Sequence, residues 1–397
     1  MKIIMFCDGF FAGLHYQENQ LVKYYLKSDH EVVVIGGVWE NVNEYYLNRY
    51  NKHLPESSIK EGKLKIIRLH YKFNFLNRIR FFKDLSYILE EEKPDLIYVH
   101  DIHFNLHNAS KYKKQNNQCR LILDFHADYS NSGNNWLSRN ILHKVIRNLY
   151  LRINLKYIDK IFPVVPASAI FLKEMYGIKQ HKMEILPLGV DTDLVRELED
   201  SGSRLEIREI LKLTEHDIVI ITAGKLGSLK QTDQLIKAFQ KIKGSNVRLL
   251  VIGGQDQSDP DYFQYLQNLM VQDKRINYLG WMDGDSVVKY LLASDIAVFP
   301  SSQSVLWQEA IGAGLALIIG RYLSGKQGTL AQDVDYLNRR NNILILEEKN
   351  DKIEEIKVNL VKLIESPEVL ARMKRGSLKV TEEFLSYNII VQQTINN

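Results

Sequence analysis

Cysteine is nearly absent: Cys7 and Cys119 are the only two in 397 residues, and they form no CxxC pair. So few thiols so far apart exclude a disulfide framework and a cysteine-bound zinc site, and are expected to be reduced and packed. Tandem repeats and low-complexity segments are also missing, which rules out solenoid arrays. No apolar run approaches the ~20 residues needed to span a bilayer. Lys2 is followed by too few apolar residues before Asp8 for a signal-peptide core. The expectation is a cytoplasmic chain, at most peripheral to the inner face of the cell membrane. No GxGxxG follows the first strand of either half, so a nicotinamide or flavin dinucleotide has little support. No G-x-S-x-G elbow is present, and His103 and His107, spaced i, i+4, lack the intervening Glu of H-E-x-x-H.

Excess charge of either sign is small overall, a net of +4, but it is unevenly shared. Residues 1–195 carry an excess of about six positive charges and the remainder about two negative ones. An excess this small suits an anionic surface or a phosphorylated partner better than duplex DNA, and no nucleic-acid partner is expected.

Short apolar runs alternate with helical patterns along the whole chain. Strands are expected at Ile3–Phe6, Val32–Ile35, Leu64–Arg68, Leu96–His100, Leu121–Phe125 and Ile161–Val165. A second series covers Ile218–Thr222, Arg248–Ile252, Ile276–Leu279, Ile296–Phe299, Leu315–Ile319 and Ile343–Leu346. Runs apolar throughout, separated by amphipathic stretches, indicate parallel strands covered by helices on both faces. The polar stretch at residues 191–215 separates the series, so the fold class is α/β with two Rossmann-like doubly wound domains, 1–195 and 196–379. The last segment, with a helix at 380–397, is expected to return to the first domain. Residues 136–160 stand apart: Arg139, Lys144, Arg147, Arg152, Lys156 and Lys160 interleave with apolar residues, and Asp159 is the sole acid. Such a helix suits the surface of an anionic membrane; the competing reading is an ordinary helix whose apolar side joins the core.

Two segments carry chemistry. Ala223-Gly224-Lys225-Leu226-Gly227-Ser228-Leu229-Lys230 lies between an apolar strand and a helix at 232–240. Backbone N–H groups freed by glycine, together with two ammonium groups, suit a phosphate or diphosphate. The second runs from Phe299 through Ser301, Gln303, Ser304, Val305 and Leu306 to Glu309 and Gly314, a strand, a polar loop and a helix from about Ser304. Asp191-Thr192-Asp193 and Asp283-Gly284-Asp285 mimic a metal-binding DxD, but each is expected in an ordinary loop, and no metal is expected.

At these residues the chain resembles the retaining glycosyltransferases of GT-B architecture, family 4 (glycosyl transferases group 1). Lys225 and Lys230 match that family's donor turn G-R-L-x-x-x-K-G, with Lys in place of Arg. Pro187-Leu188-Gly189-Val190-Asp191 resembles its P-x-G-V-D, and Glu309-Ala310-Ile311-Gly312-Ala313-Gly314 its E-A-x-A-x-G helix. Gly280-Trp281-Met282 resembles the loop whose backbone meets the nucleobase. The resemblance covers essentially the whole chain. It implies two domains facing across a cleft, and transfer of a hexosyl or N-acetylhexosaminyl group from a UDP-linked sugar to a saccharide or lipid-linked acceptor. Surface-polysaccharide synthesis is the implied setting, with no metal or other cofactor. Gly224, Trp281, Met282, Gln303, Ser304, Val305 and Leu306 would hold the donor, and Gly13 would approach its phosphate. His126, Lys225, Lys230 and Glu309 would be the catalytic set, with Tyr16, Gln17 and Asp128 facing the acceptor.

The family's E-x7-E lacks its first Glu here: an ungapped count puts Ser301 there, and a shortened loop brings Gln303 there instead. Plain capping is the other reading for Gln303 and Ser304, and a structural imidazole the other for His126. Other functions open on the same architecture are a nucleotide-sugar epimerase and a non-catalytic sugar-nucleotide-binding partner subunit.

Overall fold

A computed structural model describes residues 1–75, 78–132, 135–321, 333–347 and 351–396. The chain forms two compact units, Met1–Pro187 with Tyr387–Asn397, and Leu188–Ser386. The first holds β1 (Lys2–Phe6), β2 (Glu31–Gly37), β3 (Ser57–Glu61), β4 (Leu64–Leu69), β5 (Tyr71–Phe75), β6 (Ile79–Phe82), β7 (Leu96–Val99), β8 (Arg120–Phe125) and β9 (Lys160–Pro163). Seven of these make one sheet in the order β3-β4-β2-β1-β7-β8-β9, parallel except for β3 against β4. β5 and β6 form a separate hairpin.

The second unit holds β10 (Ile218–Ala223), β11 (Val247–Ile252), β12 (Ile276–Gly280), β13 (Ile296–Phe299), β14 (Ala316–Gly320) and β15 (Ile343–Leu346). They form a parallel sheet in the order β12-β11-β10-β13-β14-β15. Because strand side chains alternate, one face of this sheet packs Val219, Ile221 and Ala297 on Trp307, Ile311 and Leu385. The other packs Ile220, Leu249 and Ile296 on Phe239, Leu266 and Leu360. Burial on both faces is why these strands read as uninterrupted apolar runs.

All twelve expected strands are present, within two residues at their ends. The strand β3 and the β5–β6 hairpin escaped the sequence reading. Apart from a half-buried Ser57, β3 is exposed and polar, so it has no apolar run to announce it. The unit boundary lies at Pro187, upstream of residue 195, because Leu194, Val195 and Leu198 pack on Val288 and Leu292 of the second unit. The chain re-enters the first unit at Tyr387, later than 380. Val380 and Leu385 are still held in the second unit's core. The terminal helix Tyr387–Asn396 then docks through Tyr387 on Tyr24, rings 5.6 Å apart, and through Thr394 Oγ1, 2.5 Å from Tyr25 OH.

In each unit the chain builds outward on one side of its first strand and then returns to the other side. The order therefore reverses between β1 and β7, and again between β10 and β13. Loops leaving the carboxyl ends of two such strands diverge and leave a crevice where ligands of open α/β sheets bind.

Candidate active site

In the second unit, the loops after β10 and β13 meet at the reversal point. Gly224 leaves β10 with φ +130°, a conformation open to glycine, and its N–H donates to Ile252 O at 3.0 Å. The neighbouring loop crowds it: a Cβ on Gly253 would lie 1.8 Å from the Gly224 carbonyl oxygen. The chain then turns through a short 3₁₀ segment, Ser228–Lys230, before the helix Thr232–Gln240. This turn aims Lys230 inward, where its Nζ donates to Gln303 O at 2.7 Å, tying the β10 loop to the β13 loop. Burial pulls the Lys230 pKa from the usual 10.5 down to about 8. Among the described residues no carboxylate contributes to that shift, so desolvation alone sets it.

Lys225 behaves differently. It is 62% exposed and ion-paired with Asp256 at 2.9 Å. Hydrogen bonds from Ser258, and the Lys225 pairing, hold the Asp256 carboxyl at about 2.

The helix expected from Ser304 begins at Leu306 and runs to Gly312; Ser304 Oγ accepts from the Leu306 N–H at 3.3 Å. The N-cap of this helix is Val305, which makes no side-chain cap bond, so the Ser304 hydroxyl braces the turn ahead of the helix rather than capping it. Ser302 turns the preceding loop with φ +59°. Leu306 packs toward Gly224, its Cδ1 3.7 Å from a Cβ built there, while Val305 is exposed. Glu309 is half-buried, with Oε2 sealed from solvent and lacking a hydrogen-bond partner among the described residues. Burial, reinforced by Asp285, raises its carboxyl to about 7. A carboxylate oxygen left this way is costly unless a ligand's hydroxyl supplies the missing donor. Gln303 Nε2 lies 3.5 Å from Oδ2 of the buried Asp333, so a carboxyl group stands behind this neutral amide.

Trp281 is 76% exposed, and its Cβ would sit 3.6 Å from one on Gly254. Met282 is half-buried on the core below. Gly253 N–H donates to Gly280 O at 2.8 Å, which joins this loop to the β11 loop.

The first unit has its own cluster at the ends of β7 and β8. Asp124 is fully buried, and its Oδ2 receives Tyr98 OH at 2.8 Å, His100 Nδ1 at 3.0 Å and His126 Nε2 at 3.1 Å. Its Oδ1 accepts the Asp101 N–H at 2.8 Å. Burial disfavours charge on His100, but the adjacent Asp124 carboxylate outweighs it and the imidazole rises to about 10. Asp124 is held well below the usual carboxylate range: burial opposes ionisation, and His100 and His126 overcome it. The three side chains are spaced as metal ligands could be, their atoms within 4.8 Å of one another. Yet Oδ2 is already shared among three protein donors, an arrangement that orients His126 without an ion.

Gln17 is 5% exposed and neither of its amide atoms has a partner among the described residues, an unusual state for a buried amide. Tyr16, before the same helix, is exposed with its ring edge-on to Tyr46. Gly13 has φ +81° and open space around it. Asp128 turns inward. Its Oδ1 accepts from Ser130 N at 2.7 Å, Ser130 Oγ at 2.6 Å and Asn131 N at 3.0 Å, which assigns that oxygen to folding the loop.

Both DxD look-alikes are helix caps, Asp191 accepting from Leu194 N and Asp283 from Ser286 N. His103 and His107 do not converge: His103 is buried against Phe82, and His107 lies beside Tyr150 OH. The residues that sequence reasoning missed are His100, Asp124, Asp256 and Asp333. His100 and Asp124 stand at strand ends, a visible signal, whereas the pairings of Asp256 and Asp333 arise from loops distant in sequence.

Residues 18–194 match the model of Glycosyltransferase Family 4, and residues 203–379 that of Glycosyl transferases group 1. A D-inositol 3-phosphate glycosyltransferase of Stackebrandtia nassauensis is 25% identical over 152 residues, 36% of this chain and 33% of that protein. The match thus spans about a third of that relative's length. A glycosyltransferase structure from Rickettsia africae shares 14% identity with a TM-score of 0.68, covering 100% of this chain and 97% of that one. Anabaena Alr3699/HepE in complex with UDP shares 16% identity with a TM-score of 0.66, covering 100% and 99%. At such identities the likeness establishes the architecture. Two family models spanning most of the sequence, on two Rossmann-like units of the GT-B type, place the chain in a single group: it belongs to the family-4 glycosyltransferases.

Proposed function

We propose that the protein is a retaining glycosyltransferase that takes a hexosyl or N-acetylhexosaminyl group from a UDP-linked sugar to a saccharide or lipid-linked saccharide, in surface-polysaccharide synthesis. The observation that carries the reading is Lys230, a desolvated ammonium with no carboxylate partner among the described residues, tethered to Gln303 O at the strand-order reversal. Such a cation is costly in the free protein and well suited to a diphosphate.

In the reaction the bond between the sugar's C1 and the diphosphate oxygen breaks, and one from C1 to the acceptor's hydroxyl oxygen forms. The hydroxyl proton passes to the departing phosphate oxygen, so retention needs no protein nucleophile. Lys230, with Lys225 released from its exposed ion pair, stabilises the charge growing on the leaving group, and the reading requires no metal. Glu309 accepts ribose hydroxyls, its sealed Oε2 gaining the donor it lacks. The Gly280–Met282 loop meets the base, and Gln303, backed by Asp333, binds the sugar. His126, fixed by Asp124, orients the transferred sugar, and Gln17 and Tyr16 bind the acceptor.

A thermal-shift series with UDP, GDP, ADP and their sugars tests the donor assignment. A ligand at about 100 times its dissociation constant should add roughly 2.7 kcal/mol. UDP compounds are expected to shift the melt, with EDTA making no difference. Absence of a shift with every nucleotide would sink the reading, and product from UDP-sugar without acceptor would make the protein an epimerase.

A further inference from the structure

One surface remains unused by that function. The segment 136–154 is a single helical rod, α-helical at both ends and π-helical over Ser138–Arg147. One side of it is already satisfied: His143, Leu151 and Asn154 are buried, and His143 Nδ1 lies 2.6 Å from Tyr176 OH. Yet the rod carries a second apolar side. Trp136, Leu137, Ile141, Val145, Leu149 and Ile153 are each between 42% and 68% exposed.

From Leu137 onward these residues recur at every fourth position. In an α-helix of 3.6 residues per turn such a series drifts around the axis, and the wider i→i+5 turns of the π run drift the other way. Together they hold the series along one side of the rod. Exposed Lys144, Arg152 and Lys156 accompany the stripe, and no acid occurs from 136 to 158. Contiguous exposed apolar surface of this kind marks a docking site. Its charge selects the occupant. A second copy of the chain would bring the same cations together with no acid to meet them. A layer of anionic headgroups over acyl chains satisfies both the cations and the apolar stripe.

We propose that this stripe is a membrane-docking face that lies in the plane of an anionic lipid surface, its apolar residues sunk at the headgroup boundary. No helix among the described residues is long and apolar enough to cross a membrane, so the contact is peripheral. The face makes no use of the donor or acceptor residues, and it stands or falls separately from the transferase reading.

Flotation of the full chain with vesicles of phosphatidylcholine alone, or mixed with an equal amount of phosphatidylglycerol, is the test. The chain is expected to float with the anionic vesicles only, and to detach at high salt. Lys144→Ala and Arg152→Ala should each weaken partitioning about fivefold. Ile141→Glu with Leu149→Glu should abolish it, while the melting temperature and the UDP-induced thermal shift stay unchanged. A wild-type chain that ignores anionic vesicles would overturn the proposal, as would full flotation of the double variant. A sedimenting dimer that the double variant converts to monomer would overturn it too, assigning the face to a second copy.

Discussion

Replacing Lys230 with methionine separates two effects that the structure sets against each other. The substitution keeps the length and apolar stem but removes a buried ammonium whose pKa has fallen from 10.5 to about 8. A fall of that size corresponds to about 3 kcal/mol of lost preference for the charged form. The unfolded lysine holds its proton up to its ordinary pKa, whereas the folded one begins to release it near pH 8. Between those values the unfolded state binds more protons, so wild-type stability rises with pH across the window. Below pH 8 the full cost is present, and Lys230→Met should be the more stable protein by up to about 3 kcal/mol. Turnover should move the opposite way. Loss of one preorganised donor to the leaving group costs about 3 kcal/mol in the transition state, roughly a hundredfold in rate. Melting curves of both proteins from pH 7 to 10.5, with and without UDP, and release of UDP from a UDP-sugar with acceptor, measure the two effects. A variant with undiminished turnover would refute the role of Lys230. A wild-type-to-variant difference in melting temperature that stays flat across this pH range would refute its burial as an unpaired cation.

The Glu309 carboxyl, raised from 4.5 to about 7, makes the folded state hold the extra proton, so stability falls as pH climbs through that interval. Glu309→Gln should remove that decline, melting higher at pH 7.5, and weaken UDP binding about tenfold or more by calorimetry, the value of a hydrogen bond to a charged group. Asp124→Asn should cost about 3 kcal/mol or more by strandings of His100 and His126. His100, raised to about 10, stabilises the fold fully below its ordinary 6.5 and loses that contribution as pH rises through 10; denaturant curves of the variant should lack this slope. Gly253→Ala forces a Cβ against Gly224 O at a φ of +151°, and should destabilise the second unit by more than about 2 kcal/mol, seen as an earlier denaturation step with weakened UDP binding.

Much of the architecture was written in local pattern. A strand covered on both faces is apolar along most of its length, and central strands such as β1, β10, β13 and β14 carry that signature, whereas β3, exposed at the sheet edge, does not. The residue types of the proposed donor site were legible for a related reason: a strand-to-helix turn with Gly224 and Lys230 has few structural uses for both. Pairings across sequence distance were not legible. Lys230 meets Gln303 only because strand order reverses beside β10, and Asp124 gathers His100 because β7 and β8 pair in register, both properties of the whole sheet. Local turns also drew in Asp128, whose Oδ1 ties its own loop while Oδ2 is buried with no hydrogen-bond partner among the described residues.

The sequence by itself determined the parallel strands, the two-unit α/β plan and the basic helical segment at 136–160. Only the tertiary structure decided which of those side chains have partners. It desolvated Lys230 without giving it an anion among the described residues, sealed one oxygen of Glu309, and left the stripe from Leu137 to Ile153 facing outward. Periodicity states that a helix has an apolar side, but what covers that side depends on elements distant in sequence, and burial sets the electrostatics.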